Sequence, residues 1–385
     1  MTKNFYGYIA VLFFSVMFLV VGNMLVRNEP VLLHDYFEPS VVFSARVTQI
    51  IDRVEERHFD ITNTYVHFYA RVTSGDLRGE TIQAVHTLTT FSLLQEREVR
   101  AGDRILLAYD DFQSRYLVAD FMRINYVIIL GIVFLAFILL FGKTKGFNSV
   151  LSLGLICMSI FFVFIPAILA GRNIYLVTFL ICLYVIYSTL LIVIGVNKKA
   201  FAASLGCLGG VVLAGLLMRL MDVVMVLTGF VDHETPILLR LPLENPIDFR
   251  ALVFASVTLG AVGAIMDVAM SISSSLWELK QTGGITEFGS IFKSGINIGG
   301  DILGTMLNTL ILAYIGSSLS MILLIAFHFH TTSYMELFNS EMIAVEILRA
   351  LVGSFGMLLA IPLTAGVCGW MYSSEKCVRI VPHEE

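Results

Sequence analysis

Apolar runs separated by short polar loops recur along most of the chain. Each run has about 20 residues, the length that an α-helix needs to cross the ~30 Å hydrocarbon core of a bilayer. The first run is predicted to be an uncleaved anchor, because it is longer than the roughly 7–15 residues of a signal-peptide core. The pattern predicts about eight transmembrane helices, at Tyr6–Leu25, Tyr126–Phe141, Val150–Ala170, Ile174–Val196, Phe201–Leu227, Ala251–Leu276, Ile302–Phe327 and Ala344–Met371.

Residues 28–123 follow a different pattern, in which apolar residues alternate with polar ones or come in short runs. Such segments, bounded by turn residues, are typical of β-strands. Five short strands predict a small all-β barrel of the OB type, for which a structural or partner-docking role is favoured over ligand binding. The predicted strands are Val41–Val54, Thr64–Val72, Thr81–Thr89, Arg104–Tyr109 and Arg115–Val118.

The predicted fold is therefore an α-helical polytopic membrane protein with a small extracytoplasmic all-β domain. The predicted domains are an N-terminal anchor (1–27), the β domain (28–123), a seven-helix transmembrane domain (124–373) and a cytoplasmic tail (374–385). Cytoplasmic loops are enriched in Lys and Arg, so both termini are predicted to be cytoplasmic. The basic side carries Lys3, Lys143, Lys145, Lys198, Lys199, Lys280, Lys293, Lys376 and Arg379, and the other side, outside the β domain, carries Arg172, Arg240 and Arg250.

Composition supports this class of protein. Of 385 residues, 57% are hydrophobic and only 14% are charged, whereas soluble domains carry about 25% charge. The formal net charge of −5 and the lack of a basic stripe argue against a nucleic-acid partner. The five cysteines lie in apolar runs or in the tail and show no metal-binding spacing. We expect no cofactor and no disulfide framework.

Two polar stripes interrupt the apolar pattern, and we call them together the polar seam. Both follow helical spacing, so the residues of each stripe share one helix face. A carboxylate near the bilayer centre costs roughly 2.5–3.5 kcal/mol on insertion scales, which favours a functional role for Asp267. Hydroxyls and amides commonly join helices by hydrogen bonds, and Asp301 is predicted near the inner interface. The stripes are Gly260, Ala264, Asp267, Ser271, Ser274, Ser275 and Glu278, and Ser294, Asn297, Asp301, Thr305, Asn308 and Thr309.

Two pairs of opposite charges are predicted towards the outer face. Arg219 and Asp222 are three residues apart, as are Glu346 and Arg349. Each pair is either an internal ion pair, which lowers the cost of burying charge, or an outer gate that contacts an anion through arginine. Pro166 lies inside an apolar run, where proline removes a helix hydrogen bond.

Metal binding and familiar catalytic chemistry find little support. Asp232-His233-Glu234 and His328-x-His330 contain ligand types for a divalent cation, but nothing in the sequence joins them, and solvated loops are the default. A P-loop, a G-x-S-x-G, an H-E-x-x-H and a Rossmann fingerprint are missing. We predict no metal site and no enzymatic activity.

Three long stretches resemble the YibE/F-like family of bacterial multi-span membrane proteins. They are GAVGAIMDVAMSISSSLWEL (260–279), GGDILGTMLNTLILAYIGSS (299–318) and EILRALVGSFGMLLAIPLTA (346–365), and GKTKGFNSVLSL and PAILAGR are similar too. The resemblance extends over most of the chain, from the β domain to the last span. It implies a membrane protein of permease type and implies no catalytic residues. The family features that it carries over are Asp267, Asp301, Asn308, Glu346, Arg349 and Pro362.

The sequence favours a secondary transporter or exporter of a small solute in the bacterial plasma membrane. Asp267 and Asp301 are the candidates for coupling to a proton or cation, and Ser271, Thr305 and Asn308 for lining the path. The first alternative is a membrane scaffold or accessory subunit whose β domain docks an envelope partner. The second is an intramembrane enzyme that acts on lipid-linked substrates. The expected partners are the lipid bilayer, a small solute or ion and, for the scaffold, a protein bound by the β domain.

Overall fold

The computed structural model describes residues 2–27, 42–58, 61–89, 97–110, 114–231, 235–241, 243, 245–328 and 333–373. The chain forms two compact units, one of Met1–Val31 with Phe141–Glu385 and one of Leu32–Leu140. The predicted tail at 374–385 lies outside the described residues, as do the first residues of the predicted β domain.

The second unit contains a closed five-stranded barrel, which confirms the predicted barrel. The strand order is β1-β2-β3-β5-β4, and all neighbouring strands are antiparallel except β3 and β5. Apolar side chains that alternate along the strands fill the interior, and Phe68 and Leu107 are fully buried there. The strands are β1 Val42–His58, β2 Ile61–Val72, β3 Thr81–Thr89, β4 Arg104–Asp110 and β5 Arg115–Phe121.

A charged turn stabilises the entry to β4. Asp103 accepts hydrogen bonds from the Arg97 guanidinium and from the backbone N–H of Arg100. Partial burial works to raise the pKa of Asp103, but these hydrogen bonds and the two positive charges outweigh it and lower the pKa below its usual value. The Asp103 carboxylate therefore contributes stability at neutral pH that is lost as the pH falls through its lowered pKa.

The remaining elements are helical. Seven helices, within the described residues, are long and apolar enough to cross a membrane. The helices are α1 Thr2–Arg27, α2 Ile124–Ser159, α3 Ile165–Leu169, α4 Ile174–Val193, α5 Lys198–Val224, α6 Thr235–Leu239, α7 Phe249–Gly283, α8 Phe288–Ser317, α9 Leu319–His328, α10 Tyr334–Asn339 and α11 Glu341–Ser373.

Seven candidates correspond to about eight predicted spans, because two of the predicted spans fall in one long helical stretch that is broken at Lys143. Tyr126–Phe141 and Val150–Ala170 fall almost entirely in Ile124–Leu169, which counts as a single 46-residue candidate. Lys143 interrupts this stretch with a non-helical backbone (φ 48°, ψ −127°), in the basic loop where the sequence predicts a break. A short π-helical segment, Ile160–Phe164, precedes α3, which contains Pro166.

The predicted span Ile302–Phe327 begins and ends too late. The helix α8 starts at Phe288 and ends at Ser317, and the shorter α9 follows it. The stretch before Ile302 is rich in Gly and Ser and contains Lys293, so its hydrophobicity is too low to predict a membrane helix. It is nevertheless helical, and its buried glycines pack against neighbouring helices. Asp301 consequently lies well inside α8 rather than near its end.

The helix α11 is the packing centre of the first unit, where it contacts α5, α7 and α8. Glycines allow these close approaches. A Cβ added to Gly299 of α8 would overlap with the Ile361 side chain, and one added to Gly356 of α11 would lie 2.6 Å from Ile265 Cδ1. Pro362 is accommodated inside α11.

The start of α11 is tied to the loop after α5. The Glu341 carboxylate accepts hydrogen bonds from the backbone N–H groups of Thr228 and Gly229, both at 2.7 Å, and from the Thr228 hydroxyl at 2.6 Å. Hydrogen bonds to a charged group contribute about 1.5–3 kcal/mol each in favourable cases. The contact is exposed, so the lower end applies.

We expect Glu341→Ala to reduce the stability of the protein by about 1.5 kcal/mol, because the two backbone N–H groups lose their acceptor. The apparent melting temperature in detergent measures the loss. Glu336→Ala is the control, since Glu336 is an exposed carboxylate in the first turn of α10. Equal melting of both variants would contradict the role of Glu341.

Candidate functional site

The first stripe of the polar seam lies on the side of α7 that faces away from the protein core. Asp267 and Glu278 are exposed and Ser271 is half-buried. The opposite side of α7 carries buried side chains such as Ile265 and Ile272. Helical periodicity therefore separates an apolar packing face from a polar face that the other described residues do not cover.

The second stripe lies on the corresponding side of α8. Asp301, Thr305 and Asn308 are exposed, whereas Gly295 and Gly299 are buried on the other side. The Thr305 hydroxyl donates to the backbone carbonyl of Ile302 at 2.9 Å, a local bond that is common for hydroxyls in membrane helices. A Cβ added to Gly300 or Gly304 would meet no atom within 4 Å.

The two helices are neighbours and run antiparallel. An added Cβ at Gly299 would lie 3.1 Å from Ile272 Cδ1, and one at Gly295 would lie 3.1 Å from Leu276 Cδ1. Extending this register sets Asp267 and Asp301 apart by three residues, about 5 Å along the helix axis at 1.5 Å per residue. The two carboxylates of the seam are thus separated in depth by slightly less than one helical turn.

Chemically, the seam offers carboxylate oxygens and the Asn308 amide on otherwise apolar helices. Within the described part of the chain, Asp267 and Asp301 have neither an ion-pair partner nor a hydrogen-bond donor. Such carboxylates bind a proton or a cation more readily than paired ones.

The structure brings Arg219 and Asp222 together on α5. Arg219 Nη1 lies 2.5 Å from Asp222 Oδ2 and donates to the hydroxyl of Tyr175 at 2.8 Å. The guanidinium also lies over the Tyr175 ring, 4.7 Å from its centroid. The Asp222 side chain is only 5% exposed, and its Oδ1 lacks a hydrogen-bond partner among the described residues. This arrangement fits an internal ion pair.

The structure also brings Glu346 and Arg349 together on α11. Arg349 Nη1 donates to Glu346 Oε1 at 2.7 Å, and Ser318, which follows α8, donates to the other carboxylate oxygen at 2.9 Å. Arg349 Nε and the Tyr314 hydroxyl are buried without a partner among the described residues. This pair connects the end of α8 to α11.

A polar cluster that the sequence did not reveal lies where α7, α11 and the start of α5 meet. Lys280 is buried and donates from Nζ to the backbone carbonyl of Tyr372 at 2.7 Å. Ser273 donates to the carbonyl of Lys199 at 2.7 Å and lies 2.8 Å from the Tyr372 hydroxyl. The charge of Lys280 suggested a position in a basic loop. Its partner Tyr372 is 92 residues away in the chain, so the sequence showed no sign of the contact.

Residues able to hold a metal ion are not grouped in the described part of the chain. No cluster of three or more His, Cys, Asp or Glu side chains occurs there. Asp232-His233-Glu234 and His330 lie outside the described residues. The described cysteines Cys157, Cys182, Cys207 and Cys368 are free thiols.

Comparison with known families identifies the helical part of the chain. The sequence model of the YibE/F-like protein family matches residues 130–374. The chain belongs to the YibE/F-like family. The match includes α7, α8 and α11, so the polar seam and both ion pairs are part of the YibE/F-like region, whereas the barrel lies outside it. No curated protein and no solved structure shows significant similarity to the chain.

Proposed function

We propose that this YibE/F-like protein is a secondary transporter, a permease or exporter of a small solute. The observation that supports the proposal is the pair of carboxylates Asp267 and Asp301 on exposed faces of neighbouring apolar helices. A lipid-facing carboxylate costs roughly 2.5–3.5 kcal/mol, and intramembrane acids commonly belong to substrate or ion pathways. Two such carboxylates on one surface therefore support a functional role rather than a packing role.

In this proposal, the two carboxylates are successive binding positions for a proton or a cation. The offset of about 5 Å along the helix axis lets an ion pass from one to the other in a step of less than one helical turn. Ser271, Thr305 and Asn308 supply polar groups along the same route. The side of the seam left open by the described residues is closed by a second polypeptide, because lipid tails offer no partner for these groups.

The orientation is part of the proposal. We propose that the protein resides in the bacterial plasma membrane with its lysine-rich loops and both termini in the cytoplasm. The barrel then lies outside the cytoplasm. The carboxylates have coupling roles rather than catalytic ones.

A second candidate function is a membrane scaffold, favoured by one specific observation. Gly300 and Gly304 leave open space on α8 beside Asp301, and small residues four apart are a common contact for a partner helix. In this alternative the seam holds a partner protein permanently and moves no solute. A stoichiometric protein that copurifies with the chain, together with a melting temperature that responds to no cation, would favour it.

Asp267→Asn tests the transporter. We expect the melting temperature of the purified protein to rise with one of H⁺, Na⁺ or K⁺, and the rise to disappear in the variant, because the amide carries no charge. A ligand at 100 times its Kd stabilises the folded state by about 2.7 kcal/mol. The experiment titrates each cation at several pH values, beside Asp301→Asn.

Glu278→Gln is the matched control, since Glu278 lies on the same stripe but near the end of α7. It should keep the response of the parent protein. A parent protein that responds to none of the cations, or an unchanged response in Asp267→Asn, would argue against coupling through the seam.

A further inference from the structure

Three arginines lie side by side on the outside of the barrel. Arg46 of β1 is paired directly with Arg71 of β2 and with Arg104 of β4 in the antiparallel ladders. Residues directly opposite each other on neighbouring strands have their side chains on the same face. All three are exposed, whereas their neighbours Ala45 and Ile105 are buried inside the barrel. We call these three residues the arginine row, and it extends over two strand spacings, about 10 Å.

The charges of the arginine row are not compensated by the barrel itself. Within the described part of the chain, none of the three guanidinium groups forms an ion pair, and Arg46 Nε donates to the backbone carbonyl of Gly102 at 3.2 Å. Of the nearby acids, Asp103 binds Arg97, and Glu80 forms no ion pair with a described residue. Because like charges directly opposite each other destabilise a sheet, this arrangement is costly unless an anion binds to it.

The arginine row lies at the end of the barrel from which the chain continues into α2. The backbone N–H of Met122 donates to the carbonyl of Arg104 at 3.0 Å, and α2 begins two residues later, at Ile124. Two residues of chain extend over at most about 7 Å. The side chains of Ile124 and Val127 are 56% and 61% exposed, as expected for the start of a helix that faces lipid tails. The backbone of Arg104 therefore lies within about 10 Å of the first apolar residues, close to the headgroup layer of a bilayer.

The connection between the barrel and α2 is short and well bonded. Arg123 Nη1 donates to both carboxylate oxygens of Asp120, at 2.7 and 2.8 Å. The preceding residue of the ladder, Phe121, is paired with Ile105 of β4. These bonds fix the strand that leads into α2 against the strand that carries Arg104, so they limit how far the arginine row can move from the membrane surface.

We propose that the arginine row binds the phosphate groups of anionic phospholipids at the membrane surface beside α2. A guanidinium group matches two phosphate oxygens with two parallel N–H donors. Basic residues close to an anionic bilayer are attracted to it, and the attraction falls off within a Debye length, about 8 Å at physiological salt. The bilayer is favoured over an acidic protein because the chain itself brings the row to it. The contact holds the barrel against the membrane, independently of the solute proposed for the seam.

Chemical modification of the full-length protein in lipid nanodiscs tests the proposal at each arginine. Phenylglyoxal reacts with exposed guanidinium groups, and mass spectrometry of the digested protein measures the rate at each residue. We expect phosphatidylglycerol to slow the modification of Arg46, Arg71 and Arg104 about fivefold relative to phosphatidylcholine, the equivalent of ~1 kcal/mol for a basic residue at an anionic surface. Arg57 is the internal control, because it is exposed near the other end of β1 and forms no ion pair with a described residue.

Two further conditions identify the source of the phosphate. In 1 M salt the Debye length shortens to about 3 Å, so most of the protection by phosphatidylglycerol should disappear. Glycerol phosphate added to phosphatidylcholine nanodiscs supplies the headgroup in solution, and it should protect little because no membrane surface concentrates it. Equal protection by glycerol phosphate would overturn the proposal in favour of a site for soluble phosphates.

Arg46→Gln separates lipid binding from a packing role. In phosphatidylcholine its melting temperature should not fall below that of the parent protein, because the repulsion between paired arginines is relieved. In phosphatidylglycerol the parent protein and the control Arg57→Gln should gain more stability than Arg46→Gln does. A variant that melts lower than the parent by the same amount in both lipids would show that Arg46 acts only in packing.

Two other results would overturn the proposal. Equal modification of the arginine row in the two lipids would mean that it binds no anionic headgroup, and equal protection of Arg57 would mean that the effect is not specific to the row. Protection in native membrane vesicles but not in phosphatidylglycerol nanodiscs belongs to the first case and would assign the row to an acidic protein instead.

Discussion

Arg219→Gln is expected to lower the free energy of unfolding by about 3 kcal/mol, because it leaves the buried Asp222 carboxylate without its cation. Removing one partner of a buried pair costs about 3–5 kcal/mol. The Arg219 side chain is 52% exposed, so the lower end of that range applies. The variant also loses the contacts of the guanidinium with the Tyr175 hydroxyl and ring.

The double variant Arg219→Gln/Asp222→Asn separates the uncompensated charge from the lost packing. We expect it to recover most of the stability, because the neutral amide is less costly to bury than an unpaired carboxylate. Arg240→Gln, at an exposed arginine, is the control and should melt like the parent protein. A double variant as unstable as Arg219→Gln would contradict the ion-pair explanation, and the apparent melting temperature in detergent measures all three.

The barrel was predictable because its signals are local. Strand alternation and turns such as Ser74-Gly75-Asp76 predicted all five strands, and β3 agrees at both ends. Gly75 and Gly102 have positive φ angles of 77° and 92°, which is the backbone conformation that glycine tolerates and that such turns require. Short-range chemistry of this kind is readable without knowing what the segment packs against.

The helical unit was predictable only where hydrophobicity carries the signal. Hydropathy missed the first half of α8, because Gly295 and Gly299 contribute close packing rather than apolar area. The polar stripes were correctly confined to single helix faces by their spacing. Periodicity alone cannot predict that these faces lie outside the core of the helical unit, because their exposure depends on which helices pack against the opposite faces.

Contacts between distant parts of the chain had no sequence signal. Lys280 donates to the carbonyl of Tyr372, and the ring of Phe18 stacks on that of Tyr184. Each residue alone fits a common role, a loop lysine or a lipid-facing aromatic. Only the tertiary arrangement of α1, α4, α7 and α11 brings them into a buried polar cluster and an aromatic contact between helices.

The second large effect is expected from Gly206→Ala, which adds one methyl group at the closest approach of α5 to α11. The new Cβ would overlap with the Thr364 hydroxyl and lie 2.7 Å from the backbone of Thr364 at its α-carbon. Because backbone cannot turn aside as a side chain can, the two helices must move apart. Overpacking of this kind costs about 1–3 kcal/mol, and more where backbone must shift.

Two further glycines make the prediction specific. An added Cβ at Gly209 would lie 2.8 Å from Leu363 Cδ1, the end of a flexible side chain, and one at Gly154 would have no neighbour within 4 Å. We expect Gly209→Ala to be mildly destabilising and Gly154→Ala to raise stability by about 0.5–1 kcal/mol, the ordinary gain of alanine over glycine in a helix. Thr364→Ala should rescue Gly206→Ala only in part, because the clash with the backbone of residue 364 persists. Equal melting temperatures of Gly206→Ala and Gly154→Ala would contradict the close packing of α5 against α11.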